Sequence, residues 1–261
     1  MELFGVINAS PDSLHLSSIC TTPAAAVTRA GWLLDQGADH LDLGGQGSTD
    51  IATVVPWTTE WERLATIVPA LAALDGQLSI DTWRPEVARR ALEAGATVLN
   101  AADGLQTDAM IALAADIGCP VVLPYLSGPD PRRLVHVPGD PVQTLLDWFE
   151  HALARADRYG IRANLILDPG TGFAPPQWEW ADRYHFQKRV YSNLHELRRF
   201  DLPIYVALPW RETVQHDELL DIVMAQRVEY GRCLHPDRVR TAEQRVLAAE
   251  PMASTRPTDR S

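Results

Sequence analysis

The sequence predicts an α/β protein built as one TIM (β/α)8 barrel, and three observations carry that expectation. Short apolar runs alternate with helix-period segments through eight repeats spaced by roughly thirty residues. Four runs end in a polar side chain at a turn: Gly5-Val6-Ile7-Asn8, Ser79-Ile80-Asp81, Val98-Leu99-Asn100 and Leu165-Ile166-Leu167-Asp168. The 261 residues are close to the ~250 typical of such a barrel. Ligands bind at the carboxyl ends of parallel strands, so these polar ends mark one functional rim.

Taken in order, Glu2 to Asn8 reads as the first strand. Pro23 to Gly37 follows as a helix, with proline in its first turn and glycine at its stop. Asp39 to Leu43 is a second strand running into Gly44-Gly45, and Trp57 to Leu74 has helical apolar spacing. Leu78 to Asp81 is the third strand, followed by a helix from Pro85 to Ala94 that Gly95 closes. Thr97 to Asn100 and a helix from about Thr107 to Ile117 make the fourth unit.

Pro120 to Leu123 supplies the fifth strand, a Pro/Gly/Asp-rich loop covers Ser127 to Asp140, and Val142 to Tyr159 is the helix after it. Leu165 to Asp168 is the sixth strand. Ala174-Pro175-Pro176-Gln177-Trp178 delays the next helix to near Ala181, so a long loop projects there, with Trp178 and Trp180 as either a lid or a packed loop core. Pro203 to Leu208 is the seventh strand and Glu212 to Tyr230 its helix. Arg232 to His235 reads as a weak eighth strand before a helix from Pro236 to about Ala249. The expected domain spans residues 1–250, with a flexible tail over 251–261.

Composition narrows function by exclusion. With 46% hydrophobic residues the chain can bury one sizeable core. A formal net charge of -11 and a pI near 5.1 argue against nucleic-acid or anionic-membrane partners, which need a basic face. Cys20, Cys119 and Cys233 lack metal-ligand spacing and fit a reduced compartment. No apolar run approaches the ~20 residues of a membrane span and no secretory leader is evident, so a cytoplasmic location is expected. Lys188 is the one lysine against twenty-two arginines, so anion contacts are expected from arginine or backbone N–H groups. His151 and His195 lie in helical segments and read as surface residues.

Four motifs then converge. Phe4-Gly5-Val6-Ile7-Asn8-Ala9-Ser10-Pro11-Asp12-Ser13, Gly37-Ala38-Asp39-His40-Leu41-Asp42-Leu43-Gly44-Gly45, Ser79-Ile80-Asp81-Thr82 and Asp168-Pro169-Gly170-Thr171-Gly172-Phe173 resemble, in order and spacing, the successive motifs of dihydropteroate synthase. The resemblance covers residues from about Glu2 to Ala249 and thins after Asp168. It implies a barrel that binds a dihydropterin pyrophosphate in its mouth, displaces pyrophosphate and joins the pterin to the amine of p-aminobenzoate. Asp81 and Asp168 fill the family's pterin-carboxylate positions. Independently, a pterin edge presents amino and ring N–H donors that buried carboxylates orient, and Asn100 can donate and accept beside them. The structural alternative for all three is strand-end capping.

The resemblance also implies that Asn8 sits by a Mg²⁺-pyrophosphate, where an amide oxygen is a reasonable hard ligand, and that the protein is a homodimer. Asp12 and Thr82 read equally well as turn residues. Departures from the family bear on activity. The first loop has Leu14-His15-Leu16-Ser17-Ser18 where the family has Phe-Ser-Asp-Gly-Gly, and Asp50 stands where it has an arginine. An acid near pyrophosphate is repulsive in sign. Pro209-Trp210-Arg211 replaces Ser-Arg-Lys, leaving Arg211 to hydrogen-bond a pterin carbonyl. The terminal Arg-Val-His-Asp aligns with Cys233-Leu234-His235-Pro236, so His235 remains as a substrate contact and the arginine is lost or moved to Arg232.

The expectation is therefore a dihydropteroate synthase-like transferase. Its catalytic residues are Asp81, Asp168 and Arg211, its substrate contacts add Asn8, Asn100 and His235, and its standard activity is reduced. The alternatives are a non-catalytic pterin- or folate-binding paralogue and a folate-dependent methyl-transfer barrel. The first two loops, at Pro11 to Ser18 and Gln46 to Ile51, are expected to be mobile without ligand because they offer few apolar anchors.

Overall fold

The computed structural model describes residues 1–49 and 52–249. Among them run eight strands: β1 (Glu2–Asn8), β2 (His40–Gly44), β3 (Leu78–Thr82), β4 (Val98–Ala101), β5 (Val121–Pro124), β6 (Leu165–Asp168), β7 (Tyr205–Ala207) and β8 (Tyr230–Cys233). All pair in parallel in the order β6-β5-β4-β3-β2-β1-β8-β7. A bridge between Leu167 and Ile204 joins the two ends, and the Leu167 N–H donates to the Pro203 carbonyl at 2.8 Å. The sheet thus closes on itself as the expected TIM barrel.

The helices α1 (Pro23–Asp35), α2 (Trp57–Leu64), α3 (Ile67–Ala72), α4 (Pro85–Glu93), α5 (Asp108–Ile117), α6 (Pro141–Arg158), α7 (Trp180–Tyr191), α8 (Val214–Ala225) and α9 (Pro236–Ala249) surround it. Local chemistry starts several of them. Thr22, Thr107, Asp140 and Thr213 accept N-cap hydrogen bonds, and proline opens α1 and α6. Among the described residues no helix is long and apolar enough to cross a membrane. The expected flexible tail over 251–261 lies outside the described residues.

Two expected elements change. The single helix over Trp57 to Leu74 is two, α2 and α3, because Pro69 cannot donate to the carbonyl of Ala65 and its ring crowds that turn. The eighth strand begins at Tyr230 rather than Arg232, since Tyr230 and Gly231 already pair with Glu2 and Leu3 and with Tyr205 and Val206. Leu234 and His235 consequently leave the sheet and lead into α9.

Strand alternation sorts the side chains into two cores. Leu3, Ile7, Leu41, Leu43, Ile80, Leu99, Leu123, Leu165 and Leu167 face outward and pack under the helices. Burying each such side chain contributes about 1.5–3 kcal/mol. Phe4, Val98, Val122, Ile166 and Tyr205 fill the barrel interior, with Tyr230 against them. Two residues further along the same strands, toward their carboxyl ends, the inward positions become Asn100 after Val98, Asp168 after Ile166 and Arg232 after Tyr230. An apolar plug at one end and a polar layer at the other is what a ligand site at the rim requires.

Candidate active site

The polar layer is organised around Arg232. From β8 its Nε reaches Asp42 Oδ2 of β2 at 2.5 Å, and its Nη2 reaches Asp81 Oδ2 of β3 at 2.9 Å. Asp42 is wholly buried, and it also accepts a long 3.5 Å contact from Asn100 Nδ2 of β4. Asp168 of β6, 5% exposed, accepts a 2.8 Å hydrogen bond from the Gly170 N–H and has no direct ion-pair partner among the described residues. Two carboxylates therefore share one guanidinium, and Asp168 feels it only through space. Burial pushes the Asp168 carboxyl up to about 7, with the Gly170 N–H and Arg232 pulling down and Asp81 and Asp42 pushing up. Burial also raises Asp81, against the pull of Arg232.

Ser79 Oγ and Tyr205 Oη are buried here without a hydrogen-bond partner among the described residues. The layer's carboxylates and unpartnered hydroxyls suit a flat ligand with several N–H groups and a polar edge. It is equally suited to stabilising positive charge that develops on such a ligand.

The turn after β6 is tightly built. Gly170 has φ +68°, and a Cβ there would stand 2.2 Å from the Tyr125 carbonyl oxygen. Gly170→Ala should therefore cost about 2 kcal/mol or more and displace the N–H that Asp168 accepts. Denaturant unfolding checks the first effect and ligand titration the second. An unchanged unfolding midpoint would remove this account of the turn.

Above the polar layer, loop 1 (residues 9–22) folds over the mouth. Asn8 Nδ2 donates to Ser18 Oγ at 2.8 Å, and Ser18 Oγ donates to the His15 carbonyl at 2.6 Å. Asn8 Oδ1 faces Gly44, 3.6 Å from where a Cβ would lie. Asp12 accepts from Ser10 Oγ and, at 2.7 Å, from the Thr53 N–H, tying loop 1 to loop 2. Loop 1 has the few apolar anchors expected, Leu14 and Leu16 being exposed, and polar side chains stitch it instead. Asp50 and Ile51 of loop 2 lie outside the described residues. Thr82 donates to Glu60 Oε1 at 2.8 Å in a buried network with Arg84, so it and Asp12 serve the scaffold.

His15 meets Trp210 edge-on at 4.2 Å between ring centroids, and Arg211 lies over the Trp210 ring at 4.9 Å. His235, before α9, stands 6.4 Å from the Trp32 ring. The structure therefore brings Asp81, Asn100 and Asp168 together in the barrel, sets Asn8 beside them, and holds Arg211 and His235 on the rim above. Trp178 packs on Phe186, and Trp180 stacks on His216 at 4.4 Å, so both build the loop core rather than a lid. A cavity of about 320 Å³ between the loops after β5 and β6 contains none of these carboxylates.

Asp42 and His15 are residues that sequence reasoning left outside the site, and Arg232 entered it only as a possible replacement for the lost anion-site arginine. Asp42 had a signal in its inward register between Leu41 and Leu43. Arg232 was obscured by the misplaced start of β8.

A family profile described as pterin binding enzyme matches residues 4–216. A probable bifunctional folylpolyglutamate synthase/dihydropteroate synthase of Haloferax volcanii is 36% identical over 180 residues, covering 68% of this chain and 21% of that protein. The chain thus spans about a fifth of that relative's length. The dihydropteroate synthase of Staphylococcus haemolyticus is 31% identical over 208 residues, covering 79% of this chain and 73% of its own. The crystal structure of the Yersinia pestis dihydropteroate synthase with a sulfonamide drug superimposes with a TM-score of 0.81 at 28% identity, covering 95% of this chain and 93% of that one.

Proposed function

The chain belongs to the pterin-binding enzyme family, and from that premise we propose that it is a dihydropteroate synthase-like transferase of folate biosynthesis. It would join a dihydropterin methylene unit to the amine of p-aminobenzoate or a related arylamine, with pyrophosphate as the leaving group. The observation that carries this reading is Asp168, a buried carboxyl with one backbone donor and no cation of its own, facing Asp81 and Asn100 across the barrel. A pterin's amino and ring N–H groups would supply the missing donors.

In the reaction, the bond between the pterin methylene carbon and the pyrophosphate oxygen breaks and its electron pair leaves with pyrophosphate. Asp81 and Asp168 stabilise the resulting cationic pterin, because preorganised negative charge is most effective where positive charge develops. The amine lone pair then forms the C–N bond and its proton passes to solvent. No side chain acts as nucleophile. Arg211, which makes no hydrogen bond or ion pair among the described residues, is available for the pterin carbonyl, and His235 for the anion.

Mg²⁺ fits the donor set through Asn8 Oδ1, whose amide nitrogen is already committed to Ser18. No group of three His, Cys, Asp or Glu side chains is arranged for a metal among the described residues. Phosphate oxygens would therefore complete its shell, and its chemistry would be to neutralise the leaving group. The anion side is thinner than in the family, since Arg232 is engaged by Asp42 and Asp81 and Asp50 replaces a loop arginine. We propose reduced standard turnover and a homodimer for the same protein.

Separate calorimetric titrations with dihydropterin, its pyrophosphate and p-aminobenzoate test this reading. Pterin should bind, the pyrophosphate form no more than about tenfold tighter, and dihydropteroate should form at less than ~1 s⁻¹. Failure to bind any pterin would sink the reading. Pterin binding with zero turnover would favour the non-catalytic paralogue, to which the engaged Arg232 also points. Light scattering at twice the chain mass would support the dimer.

A further inference from the structure

The group that this reading leaves without a role is His15. Its Nδ1 is buried and has no hydrogen-bond partner among the described residues. The ring is nonetheless held in one place. The His15 N–H donates to Ser13 Oγ at 3.3 Å, its carbonyl accepts from the Ser18 N–H at 2.9 Å and from Ser18 Oγ at 2.6 Å, and Trp210 closes on it edge-on. A buried nitrogen left unpaired is unfavourable, and the Trp210 ring packed against it restricts the imidazole from turning out to recover a partner.

The surroundings are cationic on every side from which charge acts on the ring. Arg232 comes from β8, Arg211 from the loop after β7 and His235 from the turn before α9. Arg232 is offset by Asp42 and Asp81, whereas Arg211 has no ion-pair partner among the described residues. In a chain of net charge -11, an uncompensated cationic rim over a polar pocket is the place for an anion.

We propose that His15 is an anion ligand of this site, docking as imidazolium on the pyrophosphate group of the pterin substrate with Arg211 beside it. The proposal rests on the transferase reading and adds a contact from a loop position where the family motif has no histidine. Burial and then the charges of Arg232, Arg211 and His235 hold the imidazole down at about 4, so the ring is neutral at about pH 7. An anion arriving between the ring and Arg211 reverses that field, and the ring takes up a proton from solvent as the anion binds. Affinity for pyrophosphate should therefore rise as pH falls, beyond the change that pyrophosphate's own ionisation causes.

The experiment uses the full chain as wild type, His15→Gln and His15→Lys. Each is titrated calorimetrically at about pH 6, 7 and 8 with dihydropterin, dihydropterin pyrophosphate and inorganic pyrophosphate, in two buffers of different ionisation enthalpy. Wild type should bind both pyrophosphate ligands with net proton uptake and about tenfold tighter than His15→Gln at the lowest pH. That ratio should shrink toward one at the highest. His15→Lys, carrying a permanent charge, should hold its affinity across the range. Histidine ring NMR should show one resonance, absent in His15→Gln, whose titration moves upward when inorganic pyrophosphate is added.

Equal pyrophosphate affinity in wild type and His15→Gln at every pH, or binding without proton uptake, overturns the role of His15. If dihydropterin binds but neither pyrophosphate ligand does, His15 is again refuted while the pterin pocket stands. Loss of dihydropterin binding by wild type overturns the transferase reading itself.

Discussion

Asp168→Asn should abolish pterin binding and at the same time make the ligand-free protein more stable at about pH 8. Both effects follow from one fact, the burial of a carboxyl that has a backbone N–H but no cation in direct contact. Burial raises its folded-state value to about 7, against ~3.9 in an unfolded chain. A raised carboxyl favours the protonated folded form. Its contribution is fully present below the unfolded value, is lost as pH rises toward 7, and is absent above it. Asparagine keeps the shape and an acceptor for Gly170 without the buried charge, so thermal melts at about pH 8 should rise by several degrees and converge with wild type near pH 4. Binding moves the other way. The amide presents one acceptor where the carboxylate presents two and carries no charge to match an electron-poor pterin, so affinity should fall at least a hundredfold, as it should in Asp168→Ala. Calorimetry that finds pterin binding intact in either variant would show the pocket to be misassigned.

How much of this was legible in the sequence depended on whether the controlling forces were local. The ends of β1, β6 and α9 agree with the apolar runs and their Asn, Asp-Pro and Pro boundaries, because turn chemistry there is written in adjacent residues. Pro69 was visible too, yet apolar periodicity continued through it and masked the break between α2 and α3. β8 was shifted because Tyr230-Gly231 carries no strand signal of its own and becomes a strand by pairing with β1 and β7. That shift hid the inward register of Arg232.

In the site, Asp81, Asn100 and Asp168 were legible as polar ends of apolar runs. His15 was not, since its position depends on Ser18, Asn8 and Trp210, the last of which lies nearly two hundred residues away along the chain. Neither its burial nor its cationic neighbours can be read from the residues on either side.

Removing Arg232 should be the most damaging single change in the barrel interior. Arg232→Met keeps most of the aliphatic length but leaves Asp42, wholly buried, and Asp81 without the guanidinium that both contact. An uncompensated buried charge of this kind typically costs about 3–5 kcal/mol, which for a chain of this size corresponds to a melting temperature lower by roughly 10 °C. The position adds to the damage, because Arg232 ties β8 across the barrel to β2 and β3. Pairing the change with Asp42→Asn should recover much of the lost stability, since one of the two stranded carboxylates is then neutral. A double-mutant cycle by denaturant unfolding measures that recovery as a coupling energy.

Pterin binding supplies an independent readout. Burial raises Asp81 to about 7 even with Arg232 pulling it down, so without the arginine its carboxyl would hold a proton to still higher pH. It would then cease to be an all-acceptor group, and pterin affinity should fall most at the lower end of the pH range. Additive effects of Arg232→Met and Asp42→Asn on stability, together with a pH-independent loss of affinity, would show that Arg232 only fills space. Coupling in stability and a pH-dependent loss of affinity would place it where the geometry does, as the counter-charge that Asp42 and Asp81 share beneath the ligand.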